Sequence, residues 1–289
     1  MRRRTAISLV LGAFAPSTKA ATRGLERFVG SPAGTAIVID VKSRRLLGIA
    51  NAPVAARFVA PPGSTWKPFV LSALIERGRL GNDNSFLCPG RLRIANRTLD
   101  CSHPPLTGPI HIDSAIAYSC NCFVAQVAER FEPGELKRVL EGYGFASRSG
   151  LIEGEEACGN VLDARSTEMQ RLQALGEDGS VITAAELALA YRAIALKVGV
   201  SGMRPILDGL EGAVEYGTAQ NARVAGVKIA GKTGSAIDAS GQPVAWFAGF
   251  LPSRSPEIVA VVMLPGRSGG ADAAPIAGRI FEAYHAGHL

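Results

Sequence analysis

Residues 60–69 read APPGSTWKPF, and the interpretation of the whole chain starts from this stretch. Its prolines and glycine end an extended segment, and Pro68 suits the first turn of a helix, where its missing N–H costs little. On that helix Ser64 and Lys67 are three residues apart, so the hydroxyl and the amine share a face. Serine becomes a strong nucleophile only when a neighbouring base takes its proton. The stretch therefore predicts Ser64 as a nucleophile and Lys67 as its general base.

A second motif, SCN at residues 119–121, carries another hydroxyl and an amide. A Ser-x-x-Lys or Ser-x-Asn sequence arises by chance about once in a chain of this length, so neither has weight alone. Ser119 and Asn121 would lie about 200° apart on a regular helix. Both can face one cleft only from a turn between two helices. There Ser119 would relay a proton to the leaving nitrogen, and Asn121 would hold the substrate amide.

A third motif, KTGS, ends a predicted strand, and its residues are Lys232, Thr233, Gly234 and Ser235. Lys232 would be the nearby cation that, together with burial, lowers the pKa of Lys67. Lys232, Thr233 and Ser235 would bind a carboxylate through charge-assisted hydrogen bonds. Gly234 would let an extended substrate lie close to the backbone. The backbone N–H groups of Ser64 and Ser235 are the candidates for an oxyanion hole.

The hydrophobic pattern predicts an α/β fold of the α+β type. Residues 34–41 and 44–50 have the composition of a β-hairpin, and three further strands follow residue 213. The region between about 105 and 205 is predicted to be an all-helical subdomain, with Thr183 and Glu186 as a capping box. We therefore expect an antiparallel sheet, built from both ends of the chain and flanked by helices, with the helical subdomain inserted.

The first 20 residues have the features of a signal peptide. Four basic residues and no acid accompany the apolar stretch 6–15, which is too short to span a bilayer as a helix. We expect cleavage near Ala20, leaving residues 21–289 as the mature domain; an uncleaved anchor or an ordinary N-terminal helix are the alternatives. The protein is thus predicted to be exported to the periplasm or another extracytoplasmic location, and membrane association stays open.

The leader also explains most of the basic charge. The chain has 31 Lys and Arg against 25 Asp and Glu, a formal net charge of +6. Without the four basic residues of the leader, 27 basic residues face 25 acidic ones, a net of +2. A nucleic-acid partner is therefore not expected, because the charge that could bind phosphate belongs to the leader.

The five cysteines are too few for a disulfide scaffold. Cys88 and Cys101 bracket a loop or hairpin, and in an oxidising compartment we expect a disulfide between them, with two free thiols as the alternative. Cys120 and Cys122 lie two apart, and Cys158 is alone. Because no Cys-x-x-Cys pair is present and the four histidines form no ligand pattern, we expect no metal site and no cofactor.

Ser-x-x-Lys, Ser-x-Asn and Lys-Thr-Gly in this order form the signature of class A β-lactamases and penicillin-binding proteins. From about residue 33 to 285 the chain resembles the transpeptidase domain of penicillin-binding proteins. The likeness is strongest at residues 60–69, at DGSVITAAELALAYRAIA (178–195), at EYGTAQNARVAGVKIAGKTGSA (215–236) and at VAWFAGFLP (244–252).

This resemblance implies a β-lactamase/transpeptidase-like fold and a penicillin-binding serine acyltransferase. The substrates would be peptidoglycan stem peptides ending in D-Ala-D-Ala, and β-lactams would act as inhibitors by acylating Ser64. The acyl acceptor would be an amine in a D,D-transpeptidase or water in a D,D-carboxypeptidase. With no glycosyltransferase module in the sequence, a glycosyltransferase or other cell-wall protein is a candidate partner. Trp66 replaces a smaller or different apolar residue of the family and is expected to alter the cleft wall.

Two alternatives remain at this point. The first is a serine β-lactamase, for which Glu156 and Asn160 resemble the pair that supplies a deacylating base, although Gly159 replaces the expected leucine. The second is a non-catalytic β-lactam-sensing or scaffolding domain. The candidate catalytic side chains are all present, which argues against an inactive copy.

Overall fold

The computed structural model describes residues 18–81 and 83–289. At its centre is a five-stranded sheet made of β1 (Thr35–Asp40), β2 (Leu46–Ala50), β5 (Ala230–Ile237), β6 (Pro243–Leu251) and β7 (Ile258–Pro265). The strand order is β2-β1-β7-β6-β5, and every neighbouring pair is antiparallel. Because β1 pairs with β7, the early and late parts of the chain meet inside the sheet. The predicted sheet from both ends of the chain is confirmed.

Helices and one small hairpin complete the fold. The helices are α1 (Thr18–Val29), α2 (Ala52–Arg57), α3 (Lys67–Glu76), α4 (Ile112–Ala117), α5 (Asn121–Ala128), α6 (Glu135–Gly142), α7 (Thr167–Leu175), α8 (Ala184–Ala195), α9 (Arg204–Glu215) and α10 (Ala274–His285). The hairpin consists of β3 (Arg93–Ile94) and β4 (Arg97–Thr98). Among the helices of the described residues, none has the length and apolar character needed to cross a membrane.

Both faces of the sheet are covered, which explains why its strands are continuous apolar runs. On β1, Ile37 and Ile39 face the core beneath the helical region, whereas Ala36 and Val38 face a second core. Leu25 of α1 packs in that second core, as do apolar residues of α10. A strand buried on both faces loses the alternation of polar and apolar residues that a half-exposed strand shows.

The start of α8 ties together several segments of the helical region. Glu186 accepts hydrogen bonds from the backbone N–H of Thr183 at 2.6 Å, and its own N–H donates to Thr183 Oγ1 at 3.1 Å. This is the predicted capping box, which is confirmed. The same carboxylate accepts from the backbone N–H of Ser147 and Gly159. The cap thereby ties the segment between α6 and α7 to the start of α8.

The predicted leader falls largely outside the described residues. The expected cleavage position near Ala20 lies in the first turn of α1, which begins at Thr18. The remainder of the predicted signal peptide precedes the described part of the chain.

Candidate active site

The predicted nucleophile lies in a single 3₁₀ turn, Gly63–Trp66, and α3 follows at once from Lys67. The helix start is therefore tighter than the predicted α-helical geometry. The Lys67 N–H donates to the Ser64 carbonyl, and residues three apart are eclipsed in a 3₁₀ turn. Gly63 has a φ of 51°, a left-handed conformation that glycine adopts without strain. The turn thus keeps Ser64 and Lys67 on one side.

The core holds this turn from beneath. The Tyr191 hydroxyl donates to the Thr65 carbonyl at 2.7 Å, and Trp66 Nε1 donates to the Gln173 carbonyl at 2.7 Å. Trp66 is fully buried and packs edge-on against Phe145, with ring centroids 5.6 Å apart. The expectation that Trp66 shapes the cleft wall is wrong. Its indole is large and apolar enough to be placed in the core, where it anchors the turn.

The predicted turn between two helices is present at Ser119, which connects α4 to α5 and has a φ of 57°. The Lys67 ammonium donates to the Ser119 carbonyl at 2.8 Å, to Ser119 Oγ at 3.2 Å and to Asn121 Oδ1. Asn121 Nδ2 donates in turn to the Leu99 carbonyl at 3.0 Å. Lys67 therefore connects the turn of the nucleophile to the turn of the second motif.

Two lysines of the site are fully buried, Lys67 and Lys232. Burial lowers the pKa of Lys67 to about 8, although electrostatic interactions with the Cys120 and Cys101 thiol groups oppose this shift. Burial, followed by the positive charge of Lys67, holds the pKa of Lys232 well below its ordinary value. The predicted coupling between the lysines thus appears at Lys232, while burial is the main cause at Lys67.

Strand β5 forms the opposite wall of the site. The prediction that the third motif ends a strand is wrong, because β5 begins at Ala230 and continues to Ile237 through its pairing with β6. Within it, Lys232 to Ser235 pair in register with residues 248 to 245 of β6. The Thr233 hydroxyl donates to Thr218 Oγ1 at 2.9 Å, and Ser235 Oγ accepts from the backbone N–H of Gly269 at 3.0 Å. Lys232 Nζ donates to the Thr233 carbonyl at 3.0 Å. Backbone pairing thus sets where each of these side chains lies.

The turn of the nucleophile packs directly on β5, and this contact requires glycine on both sides. A Cβ added to Gly234 would lie 2.7 Å from Thr65 Cγ2 and 2.8 Å from the Pro62 carbonyl oxygen. A Cβ added to Gly63 would lie 2.6 Å from the carbonyl oxygen of Ser235 and 3.3 Å from its nitrogen. Gly234 is therefore needed for packing against the turn, a reason that is separate from the predicted approach of a substrate.

A cleft of about 320 Å³ opens between the two walls. Six of the predicted site residues line it: Ser64, Ser119, Asn121, Thr233, Gly234 and Ser235. Sequence reasoning missed four other lining residues, which are Ser102, Thr218, Ser268 and Gly270. For Thr218 a signal was available, since it lies in the stretch 215–236 that leads to the third motif. Single serines and glycines in loops gave no comparable signal for the others.

The cysteines depart from the prediction. Cys88 and Cys101 are not joined by a disulfide, and their Sγ atoms lie 3.6 Å apart. The expectation that the histidines form no ligand pattern is also wrong in three dimensions, because His103 Nε2 lies 3.6 Å from Cys88 Sγ. Cys120, the middle residue of the second motif, belongs to the same cluster. Cys158 is exposed.

Comparison with known proteins identifies the family. Residues 34–282 match the family model described as "Penicillin binding protein transpeptidase domain". The chain belongs to this family. Its mixed architecture of an antiparallel sheet and helices is the one that members of the family have.

Curated relatives of the family are similar at moderate identity. Stage V sporulation protein D of Bacillus subtilis is 25% identical, covering 80% of this chain and 43% of the relative. Peptidoglycan D,D-transpeptidase PbpA of Mycolicibacterium smegmatis is 25% identical, covering 75% and 53%. Probable peptidoglycan D,D-transpeptidase PbpC of Pseudomonas aeruginosa is 24% identical, covering 88% and 54%. The chain spans about half the length of these relatives.

Solved structures confirm the fold. Pseudomonas aeruginosa PBP2 in complex with WCK 5153 has a TM-score of 0.79 at 20% identity, covering 91% of this chain and 73% of that one. A peptidoglycan glycosyltransferase from Burkholderia ambifaria gives 0.82 at 22% identity, with coverage of 93% and 95%. The TP domain of Burkholderia pseudomallei penicillin-binding protein 3 gives 0.80 at 21%, with 94% of each chain covered.

Within this family fold, the carboxylate of Glu156 has a structural role. Its carboxylate accepts hydrogen bonds from the Ser149 hydroxyl at 2.8 Å and from the N–H groups of Gly150 and Ile152 at 2.8 and 2.9 Å. Burial opposes ionisation, but these hydrogen bonds hold the pKa of Glu156 below its ordinary value. Neither Glu156 nor Asn160 is among the described residues that line the cleft. The carboxylate considered for a β-lactamase therefore closes a loop.

Proposed function

We propose that the protein is a serine acyltransferase that forms an acyl-enzyme on Ser64 with peptidoglycan stem peptides. The observation that carries this proposal is the position of Lys67. Its amine is fully buried, directly follows the turn of Ser64, and reaches both Ser119 and Asn121. Lysine is almost never fully buried unless it is paired, and among the described residues no carboxylate hydrogen-bonds to this one. Such an environment suits a general base.

The contacts of Lys67 with Ser119 support the second half of a proton path, and we propose that Ser64 supplies the first half. A neutral amine keeps two N–H donors, enough for the Ser119 carbonyl and Asn121 Oδ1, and has one lone pair left. When Ser64 Oγ attacks the carbonyl of the penultimate D-Ala, the hydroxyl proton passes to that lone pair. As the peptide bond breaks, Lys67 returns this proton to the leaving amine through the Ser119 hydroxyl. Ser119 Oγ lies 3.2 Å from Lys67 Nζ. Lys67 is then neutral again for the second half-reaction.

The β5 wall would orient the substrate. Thr233 and Ser235 line the cleft, and the Ser235 hydroxyl can donate to the terminal carboxylate of the stem peptide. The Thr233 hydroxyl would donate there by turning its proton away from Thr218. Lys232 is fully buried next to Thr233, and a bound carboxylate would favour its protonated form, which in turn attracts the carboxylate. The backbone N–H groups of Ser64 and Ser235 remain our candidates for the oxyanion hole. One such donor contributes about 3–4 kcal/mol in comparable acyl transfers.

For the acyl acceptor we favour an amine, which makes the enzyme a D,D-transpeptidase. Support comes from two relatives, of M. smegmatis and P. aeruginosa, whose names state this activity. D,D-carboxypeptidase activity is the competing outcome, in which water takes the acyl group. We further propose that the protein works outside the cytoplasm, where its substrate lies, and that a glycosyltransferase or other cell-wall protein supplies the glycan strands.

The decisive experiment is labelling of the purified full chain with a fluorescent penicillin. We expect one covalent adduct per chain, located at Ser64 by peptide mass analysis and abolished in Ser64→Ala. Ser201→Ala is the matched control, because Ser201 is exposed in a turn outside the cleft. An unlabelled wild-type chain, or equal labelling of Ser64→Ala, would refute the acyl-enzyme.

The fate of the adduct separates the related functions. A long-lived penicilloyl adduct together with D-amino acid exchange on a stem peptide is expected for the transpeptidase. Release of D-Ala without exchange would assign the carboxypeptidase reaction instead. Turnover of penicillin within seconds would indicate a β-lactamase, and a stable adduct without any stem-peptide reaction would indicate a sensing or scaffolding domain.

A further inference from the structure

Three thiols and one imidazole form a cluster that includes Cys120, the middle residue of the second motif. The donor atoms of Cys88, Cys101, His103 and Cys120 all lie within 4.8 Å of one another. The three sulfurs form a nearly equilateral triangle with sides of 3.6 Å (Cys88–Cys101), 3.7 Å (Cys101–Cys120) and 3.5 Å (Cys120–Cys88). His103 Nε2 lies 3.6 Å from Cys88 Sγ. Cys120 is buried, and the other three are partly buried.

These distances match a tetrahedral zinc site. With Zn–S of about 2.3 Å and Zn–N of about 2.0–2.1 Å, two ligand sulfurs lie about 3.8 Å apart and a sulfur and a nitrogen about 3.6 Å apart. A disulfide would bring two sulfurs to about 2.05 Å and leave the third aside. The equal sides of the triangle favour a shared centre over any one pair.

The imidazole is oriented as a ligand. His103 Nδ1 lies 2.9 Å from the Pro104 carbonyl oxygen. A carbonyl can only accept, so Nδ1 carries the proton and Nε2 has a lone pair directed towards the sulfurs. A hydrogen bond from the second ring nitrogen to a carbonyl is the usual arrangement for a metal-bound histidine.

Backbone N–H groups donate to two of the three sulfurs, which favours their thiolate forms. The backbone N–H of Gly90 donates to Cys88 Sγ at 3.3 Å, and that of Phe123 donates to Cys120 Sγ at 3.4 Å. Cys122 differs, because its thiol donates to the Arg91 carbonyl at 3.5 Å and it lies outside the group of four. Its Sγ lies 3.6 Å from that of Cys101.

We propose that Cys88, Cys101, Cys120 and His103 bind one Zn²⁺ ion that fixes the turn of the second motif. The four protein ligands fill a tetrahedral shell, so the ion has a structural role and takes no part in the acyl transfer proposed above. Cys120 stands between Ser119 and Asn121, and the metal would join it to the segments before and after the β3–β4 hairpin. The Asn121 side chain already hydrogen-bonds the second of these segments, at the Leu99 carbonyl.

Metal analysis of the full chain, purified under reducing conditions without chelator, tests this site. We expect one zinc per chain in the wild type and none in Cys101→Ser or Cys120→Ser. Cys122→Ser and Cys158→Ser are matched controls that should keep the metal. A wild type that binds no stoichiometric zinc, or that loses two hydrogens in mass by forming a disulfide under these conditions, would overturn the proposal. Equal loss of metal in either control would also overturn it.

Cobalt substitution provides a readout that does not depend on how well the core variants fold. Co²⁺ should produce thiolate charge-transfer bands and the visible bands of a tetrahedral site. His103→Ala, a change at the rim of the cluster, should weaken the affinity for the metal by at least tenfold and leave the helix content unchanged. His288→Ala, exposed near the C terminus, is its control. An unchanged cobalt spectrum and affinity in His103→Ala would refute the assigned ligand set.

The same preparations separate this inference from the proposed acyl transfer. Removing zinc under reducing conditions should slow acylation by penicillin about tenfold, because the second motif loses a fixed point, while Ser64 remains the labelled residue. An acylation rate that does not change on zinc removal would contradict the role in fixing the turn. Absence of labelling in zinc-loaded protein would instead refute the proposed function and leave the metal site unaffected.

Discussion

The two walls of the cleft are held by different kinds of interaction. On the β5 wall, Lys232 to Ser235 occupy consecutive positions of a backbone ladder with β6. On the helical wall, Ser119 adopts a left-handed conformation, and side-chain contacts of Lys67 and Asn121 hold its turn. A ladder position is set by many cooperative hydrogen bonds, whereas a turn position depends on a few individual ones. Substitutions in the β5 wall should therefore disrupt the site through steric conflict. Substitutions in the helical wall should disrupt it through the loss of single contacts.

The largest effect is expected at Gly234, where β5 packs directly against the turn of the nucleophile. In Gly234→Ala the new Cβ would lie 2.7 Å from Thr65 Cγ2, 2.8 Å from the Pro62 carbonyl oxygen and 3.3 Å from the Thr65 nitrogen, so the backbone of the turn itself would have to shift. We expect a loss of about 1–3 kcal/mol in the free energy of unfolding from overpacking. Displacement of the nucleophile should lower the rate of penicillin acylation about a hundredfold. Urea unfolding and stopped-flow labelling measure the two quantities.

Gly142→Ala provides the matched control for that substitution. Gly142 ends α6, and a Cβ there would have no neighbour within 4 Å. Alanine is the better helix former, so stability should stay equal or rise by up to about 1 kcal/mol, with unchanged acylation. If Gly234→Ala behaved like Gly142→Ala, the close contact between β5 and the turn of the nucleophile would not limit the site.

A change of pH tests the helical wall through Lys67. Because burial lowers the pKa of Lys67 to about 8, the amine is mostly protonated at pH 7 and mostly neutral above pH 9. A base must be neutral to accept a proton, so the acylation rate should rise with pH, with its midpoint near 8. The rate at pH 7 should be about tenfold below the plateau.

Penicillin labelling between pH 6.5 and 9.5 measures this profile, and circular dichroism over the same range checks that the fold is retained. A rate that is independent of pH across the window would argue against Lys67 as the base. A rate that falls as pH rises would indicate that the protonated amine is the active form.

The β5 wall could be predicted from the sequence because local pattern determines it. The KTGS motif was correctly expected to lie on a strand, although it lies inside β5 and does not end it, and pairing in register then places Thr233 and Ser235. The turn at Ser119 was also predictable, since two residues of a regular helix separated by one position cannot face the same cleft. Only the tighter 3₁₀ geometry at Ser64 departed from the predicted helix start.

Features that depend on distant segments could not be predicted. The ligands of the proposed metal site come from positions 88, 101–103 and 120, and no local spacing joins them. The expectation that Trp66 alters the cleft wall rested on its difference from the family's usual residue, whereas its partners in the core, Gln173 and Phe145, are far away in sequence. Glu156 matched a short pattern, but its carboxylate is satisfied by its own loop.

The smallest effect is expected at a contact that supports the turn of the nucleophile from the core. Tyr191→Phe removes the hydroxyl that donates to the Thr65 carbonyl at 2.7 Å and leaves this buried acceptor without its partner. The free energy of unfolding should fall by about 1 kcal/mol. Acylation should slow by less than about tenfold, because Trp66 still anchors the turn.

Tyr284→Phe, which removes a hydroxyl bonded to Glu257 at the surface, should change stability by no more than about 0.5 kcal/mol. Equal losses in both variants would show that the buried hydroxyl has no special part in holding the turn.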